Sequence, residues 1–460
     1  MGASKLTSQP LLTLSDIRTF FLQNEIPVYF IDFSAYDLIG MEEWIGNFRF
    51  INSSNSFDGF HPQAFVPKRK MPNQSGGLEG INNALLQDPQ VLDLLARSSS
   101  NGTIGKAMFL LFDDETERLA KQLGLEICFP QAVLRRFLDD KVTTTRIAEN
   151  AGVPCVPNVL SRVENYEQLR CISQQLGEHL VLQMPFGDSG ETTFFISSEA
   201  DFERNKAEIT NGQEVKIMKR IRCRGTSIEA CVTRYGVVVG PLVTELIGFQ
   251  ELTPFKGGWC GNELFPNAFP PGIRQQAREY TIRFGEQLRK EGYLGYFDLD
   301  FLLDEDDGSF YLGELNPRIS GVAPLTNNGA FAKKDLPLIL LHLLEWMGVD
   351  YLLDVEALNQ SWSNQANLDT WSSMIFKHLH DETVLPGEPP ASGVWRMNEC
   401  GCLSFVRQAT NFRAIQSADE GFFLREANKG DVVQNGDFLG VLFLPKRVMS
   451  DYQLTAEAKA

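Results

Sequence analysis

The sequence predicts a mixed α/β protein, α+β taken as a whole, with an N-terminal parallel-sheet domain, a larger central domain and a small β-rich C-terminal lobe. Before residue 125, helical periods alternate with short apolar strands, the pattern of an open parallel sheet. Between Tyr293 and Asn327, the segment YLGYFDLDFLLDEDDGSFYLGELNPRISGVAPLTN reads as a β-hairpin with acids set into apolar runs. From about Asp369 onward, short strands recur between Gly, Asn, Asp and Pro turns. A chain of 460 residues exceeds one ordinary core, and the boundaries fall at 1–125, 126–350 and 351–460.

In the first domain, Leu14 to Asn24 has helical periodicity after a Ser15-Asp16 start, and Ile26 to Asp32 follows as a buried strand. Lys106 to Phe112 is a second strand, Asp114 to Leu123 a helix, and LEICFP a further short strand. The stretch from Asn52 to Gly77 is rich in Ser, Asn, Pro and Gly and reads as loops. Neither G-x-G-x-x-G after a strand nor G-x-x-x-x-G-K-[ST] occurs, so no phosphate fingerprint marks this domain.

The central domain starts with two helices, Gln131 to Leu138 and Asp140 to Asn150, closed by Ala151-Gly152-Val153-Pro154. Lys141 lies in the first turn of the second. In Val181 to Ile196, two strand-like runs enclose Gly187-Asp188-Ser189-Gly190, either a plain hairpin turn or a loop whose small residues admit an anion to backbone N–H groups. Strands follow in Val215 to Pro241. Pro254 to Pro266 reads as a Gly-dense loop in which Lys256 is placed to contact a transferred phosphate or a substrate carboxylate, and Glu263 an amine. Cys260 has no evident histidine partner and is not read as a nucleophile. Asp335 to Met347 reads as an amphipathic helix.

The hairpin carries the chemistry. If Tyr296 to Leu303 pairs with Phe310 to Leu315, then Asp300 and Glu314 lie side by side, and Asn316 points to the same face. Two carboxylates and an amide suit Mg²⁺, which completes its octahedron with water and substrate phosphates; Mn²⁺ is the alternative. Arg318 continues the alternation and puts a fixed cation where a transferring phosphoryl group needs its charge spread.

These segments, in this order over roughly residues 130 to 327 and most specifically in GELNPRISG, closely resemble the ATP-grasp superfamily and, within it, the biotin-carboxylase-like carboxylate–amine ligases. The resemblance implies an ATP-grasp fold with an N-terminal pre-grasp domain and a lid at about 155–215. It implies that Lys141 contacts phosphate, and that Gly187, Asp188, Ser189 and Gly190 form the loop over the ATP phosphates. Lys219, Arg220 and Ile221 fall at the adenine hinge, and Glu229 where a carboxylate near the ribose is common. Asp300, Glu314 and Asn316 match the Mg²⁺ ligands, and Arg318 the arginine beside the reacting acyl phosphate. There are departures. Gln183 stands where the family carries a lysine, and Lys219 where an acid is frequent. Ser320 and Val322 stand where biotin carboxylases place the glutamine and glutamate that handle bicarbonate. The resemblance thus implies an ATP-dependent ligase that activates a small-molecule carboxylate, an amino acid or peptide, for attack by an amine, giving an amide, ADP and phosphate. Biotin-carboxylase-type carboxylation and an ATP-binding module without catalysis are the alternatives.

Composition sets outer limits. With 42 basic and 59 acidic residues, a net charge of -17 disfavours nucleic acid and anionic membrane as partners. The longest apolar run, Leu336 to Val349, is too short to span a bilayer, and the start has no secretory pattern. Eight scattered cysteines without a C-x-x-C pair predict a reduced, cytoplasmic chain. Small-molecule carboxylate and amine substrates are the expected partners, and a homo-oligomer is compatible with the sequence.

Overall fold

The computed structural model describes residues 9–68, 77–98, 103–187, 192–398 and 400–459. The N-terminal sheet is parallel, in the order Ala64–Phe65, Phe48–Asn52, Val28–Asp32, Gly105–Met108, Leu125–Ile127. Val28–Asp32 lies at its centre and is buried along its whole length, as a strand covered on both faces must be. The first helix, Leu14–Leu22, starts at the predicted residue, with Thr13 as its cap, because Thr13 and Asp16 form a reciprocal capping box. Phe48–Asn52 was not anticipated, and the predicted loop after Asn52 holds the edge strand Ala64–Phe65.

The helices Ala132–Asp139 and Lys141–Ala151 lead into a separate antiparallel sheet ordered Asn158–Ser161, Val215–Lys219, Leu180–Gln183, Thr193–Ile196. This sheet has its own core around Leu169, Leu180, Leu182, Phe202 and Ile217. Gly152 takes the left-handed conformation at φ 64°, the C-cap its position predicts.

A long antiparallel sheet runs through the rest of the molecule. Its order is Phe310–Asn316, Gly295–Asp304, Cys223–Thr233, Val243–Ile247, Trp259–Leu264, Trp371–Lys377, Phe438–Leu444, Glu420–Arg425, Gly393–Met397, Leu403–Arg407, with Gly236–Val239 paired to Cys223–Thr233. The five strands expected after Asp369 all form, and they continue the central sheet through the pairing of Trp259–Leu264 with Trp371–Lys377. Alternation gives the first three strands two unlike faces. Ile228, Ala230, Phe297, Leu299, Phe301 and Leu315 pack with Ala277, Phe284 and Leu288 of helix Pro271–Lys290, while the acids face the other way.

Two sequence readings change. Trp259–Leu264, expected within a loop, is an interior strand, and Glu263 on it is fully buried. Its carboxylate accepts hydrogen bonds from the Val448 and Met449 amides, the latter at 2.7 Å, so it pins the C-terminal segment rather than facing an amine. The helix Leu338–Leu344 is buried at every residue instead of amphipathic, since it is wedged between the N-terminal and central sheets. Its His342 lies 4.4 Å from the Phe129 ring, ring centre to ring centre, and Nδ1 accepts the Tyr296 N–H at 3.0 Å. Burial pushes the His342 pKa down to about 3.

Replacing Glu263 with Ala leaves two buried N–H groups unsatisfied and should lower stability by about 2 kcal/mol in urea unfolding. His342 has a folded pKa below its ordinary 6.5, so between about pH 3 and 6.5 the unfolded chain binds the extra proton. The stability it contributes is present above this window and lost as pH falls through it. Urea midpoints at pH 4 and pH 7 should therefore differ less in His342→Gln than in the parent chain.

Candidate active site

The hairpin has the predicted register. Asp300 pairs with Glu314 and Asp298 with Asn316, and Cys223–Thr233 adds Ser227 beside Asp300 and Glu229 beside Asp298. A bulge leaves Gly313 as the extra residue, since Asp300 faces Glu314 while Phe301 faces Leu312. Asn316 donates from Nδ2 to Asp300 Oδ2 at 3.0 Å, and Arg318 donates to Asn316 Oδ1 at 3.0 Å. Burial first, then the neighbouring Glu245, Asp298 and Glu314, raises the Asp300 pKa well above the usual carboxylate range. Glu245 is pushed up to about 8, by burial and then by Asp298 and Glu314. This surplus of negative charge fits a divalent cation. Among the described residues no three acidic, imidazole or thiol side chains close on one point. Two carboxylates and an amide are compatible with a Mg²⁺ shell completed by water and substrate oxygens.

Asp140 caps its helix by accepting from the Val142 and Thr143 amides at 2.8 and 3.0 Å, which fixes Lys141 at the first helical position. The Lys141 N–H donates to Pro185 O, and its ammonium reaches Gly187 O at 2.8 Å and Glu314 at 3.2 Å. Lys141 thus joins the glycine loop to the hairpin. Gly187 has φ 143°, and a Cβ there would meet the Thr192 side chain at 2.0 Å. Asp188, Ser189 and Gly190 lie outside the described residues.

Lys216, which the sequence reading passed over, is the cross-strand partner of Gln183. It is 1% exposed, and its ammonium donates to the bulged Gly313 carbonyl at 2.9 Å. Burial lowers its pKa, with Glu314 and Lys141 close enough to act on its charge. Gln183 Oε1 is buried without a hydrogen-bond partner. A charged residue in the middle of V-K-I-M-K was the available signal, because an interior strand does not hold a lysine without an oxygen to meet it. Asp298 was likewise legible in D-x-D, whose alternation puts both acids on one face.

The N–H groups of Lys219 and Arg220 bond to the carbonyls of Pro157 and His179, and Ile221 follows in the segment leading to Cys223–Thr233. Arg220 and Lys256 each lie over the Phe195 ring, at 5.4 and 5.2 Å, so Lys256 packs on the small sheet. Glu229 is 1% exposed and accepts from Tyr296 Oη at 2.5 Å and Ser320 Oγ at 2.9 Å. Its carboxylate is occupied inside the sheet, and burial pushes its pKa up to about 8. Val322 is buried, and the Cys260 thiol is pushed up to about 11 by burial.

No family model matches the sequence. Over 92% of its length this chain superposes on the biotin carboxylase domain of 2-oxoglutarate carboxylase from Hydrogenobacter thermophilus, covering 87% of that chain with a TM-score of 0.58 at 13% identity. This is the ATP-grasp fold of the biotin-carboxylase type. In this chain the long sheet carries the acidic hairpin, and the small antiparallel sheet stands apart from it. The N5-carboxyaminoimidazole synthase of Aspergillus clavatus, solved with ADP and 5-aminoimidazole ribonucleotide, matches over 92% of this chain and 94% of its own, with a TM-score of 0.56 at 14% identity. In sequence, the 2-oxoglutarate carboxylase small subunit of H. thermophilus is 22% identical over 258 residues, 54% of this chain and 52% of that protein. A butirosin acyl-carrier protein–L-glutamate ligase of Niallia circulans is 24% identical over 229 residues, 46% of this chain and 51% of that protein. The chain spans about half the length of these two curated relatives. Among the described residues, no helix is long and apolar enough to cross a membrane.

Proposed function

We propose that this chain is an ATP-dependent carboxylate–amine ligase. The observation that carries the reading is the convergence of Lys141 on Glu314, directly opposite Asp300, with Arg318 anchored on Asn316 beside them. Asp300, Glu314 and Asn316 would hold Mg²⁺, which supplies charge neutralisation at the ATP phosphates when bound. Lys141 and the 187–190 loop take the phosphates, and Lys219 to Ile221 border the adenine. Lys216 supplies the cation that position 183 lacks, reaching the same space from the strand next door. The substrate carboxylate takes the γ-phosphoryl group, with Arg318 spreading the developing charge. Attack by an amine then forms the C–N bond and breaks the C–O bond to phosphate. Phosphate leaves with the electron pair and accepts the proton lost by nitrogen. Positioning and electrostatics are the protein's whole contribution to these steps.

Carboxylation of the biotin-carboxylase kind is the second reading, favoured by the names of the relatives. The site argues against it, because the Ser320 hydroxyl is held by Glu229 and Val322 offers no base. Bicarbonate- and biotin-stimulated ADP release would reverse this preference.

Asp300→Asn combined with Glu314→Gln should reduce Mg-ATP turnover by at least about 10²-fold without lowering the thermal midpoint, since it relieves crowded charge. ADP release undiminished in the double variant, assayed over amino-acid pairs, would overturn the ligase reading. For Lys216→Met, loss of one charge-assisted contact worth about 1.5–3 kcal/mol predicts roughly 10- to 100-fold weaker ATP binding by calorimetry. Adding Gln183→Lys to that variant should restore most of it. A purely structural Lys216 would show no such rescue.

A further inference from the structure

In the N-terminal parallel sheet the order of strand addition reverses at Val28–Asp32, with Phe48–Asn52 on one side and Gly105–Met108 on the other, so the crevice at the strands' carboxyl ends lies there. Asp32 fills it, accepting the N–H groups of Phe33 at 2.6 Å and Leu110 at 3.0 Å. Asp37 follows on the short 3₁₀ turn Tyr36–Leu38. Glu426, the residue after strand Glu420–Arg425, enters from the C-terminal lobe. The exposures are 3% for Asp32, 7% for Asp37 and 2% for Glu426. Both side-chain oxygens of Glu426 are buried without a hydrogen-bond partner at bonding geometry, and the Ser34 hydroxyl is the dipole beside it. The adjacent Arg425 turns away to pair with Asp58. Arg318 is the cation whose charge acts on Asp32 and Asp37.

We propose that Asp32, Asp37 and Glu426 form the amine-substrate site, and that the amine it takes carries a second positive charge, as a diamine or a basic amino acid does. The inference rests on the ligase reading for its chemistry, because Arg318 joins this cluster to the hairpin where the acyl phosphate would form. Two buried carboxyls that share one guanidinium, with a third buried carboxyl beside them, are costly unless a further cation arrives. A metal ion is poorly served, since both Asp32 oxygens are engaged by backbone N–H groups and no three acids close on one point among the described residues. An ammonium on a flexible chain is well served. One charged end stays on Asp37 and Glu426 while the other, as free base, reaches the acyl carbon. The same charge excludes a phosphorylated amine such as the ribonucleotide held by the A. clavatus synthase. Burial raises Asp32 to about 7 and Asp37 to about 8, and holds Glu426 well above its usual range, the signature of acids lacking a counter-charge.

The test is thermal unfolding and calorimetry of the full chain without ATP, using 1,4-diaminobutane, lysine, norleucine and magnesium chloride as probes. Either dication-bearing amine should raise the midpoint and norleucine should not. Asp37→Asn and Glu426→Gln should each weaken that binding at least about tenfold while raising the ligand-free midpoint. Overturning results are no response to either amine, an equal Glu426-dependent response to magnesium alone, or variants that lower the ligand-free midpoint and keep the amine response. The two readings separate in a coupled ADP assay. Amine binding without ADP from any acid sinks the ligase and leaves the site; ADP release with neutral amines alone sinks the site and leaves the ligase.

Discussion

The acids of the cleft are held where they are by apolar burial on the other side of the same strands. Phe297, Leu299 and Phe301 press Gly295–Asp304 onto helix Pro271–Lys290, and alternation then leaves Asp298 and Asp300 no choice of direction. A shift of one residue in register would bury both carboxylates in that apolar layer, at a cost far above the net stability of a domain. The placement of the chemistry is therefore secured by residues that take no part in it. The bulge at Gly313 is the one local exception to regularity, and it turns a carbonyl toward Lys216.

Charge balance across the cleft is arranged in space, not in sequence. Lys141 comes from a helix start, Lys216 from a strand of the small sheet and Arg318 from beyond the hairpin, yet each bonds an oxygen of the strand Phe310–Asn316, at Glu314, Gly313 and Asn316 in turn. Because Gln183 and Lys216 are direct cross-strand partners, a cation on either strand reaches the same space. A side chain about 6 Å long covers the interstrand distance of ~4.8 Å with ease.

Much of this was legible in the sequence. The hairpin register followed from two apolar runs and an acidic turn, the helix at Lys141 from its Gly152-Val153-Pro154 stop, and the C-terminal strands from the turn residues between them. What escaped was set by non-local packing. Glu263 looked like a loop residue because its neighbours are Gly, Trp and Cys, and only the tertiary pairing of Trp259–Leu264 with a strand over a hundred residues later makes it interior. Lys216 was missed because its partner Gln183 is far along the chain. The helix Leu338–Leu344 was read as amphipathic from His342 and Glu345, but a buried imidazole with a backbone donor counts as apolar in effect. The acids at 32, 37 and 426 come from opposite ends of the chain, and no window of sequence contains them together.

The unbroken run of the long sheet bears on how such a protein can be divided. A cut near residue 350, natural as it looks by composition, would strip Trp371–Lys377 from Trp259–Leu264 and turn an interior strand into a raw edge, with its amides and carbonyls open to any other chain. The same cut would remove Glu426 from the crevice it shares with Asp32 and Asp37. The C-terminal lobe is thus a wall of the central domain and not an appendage, and a shortened version of this chain is more apt to aggregate than to survive as a smaller enzyme.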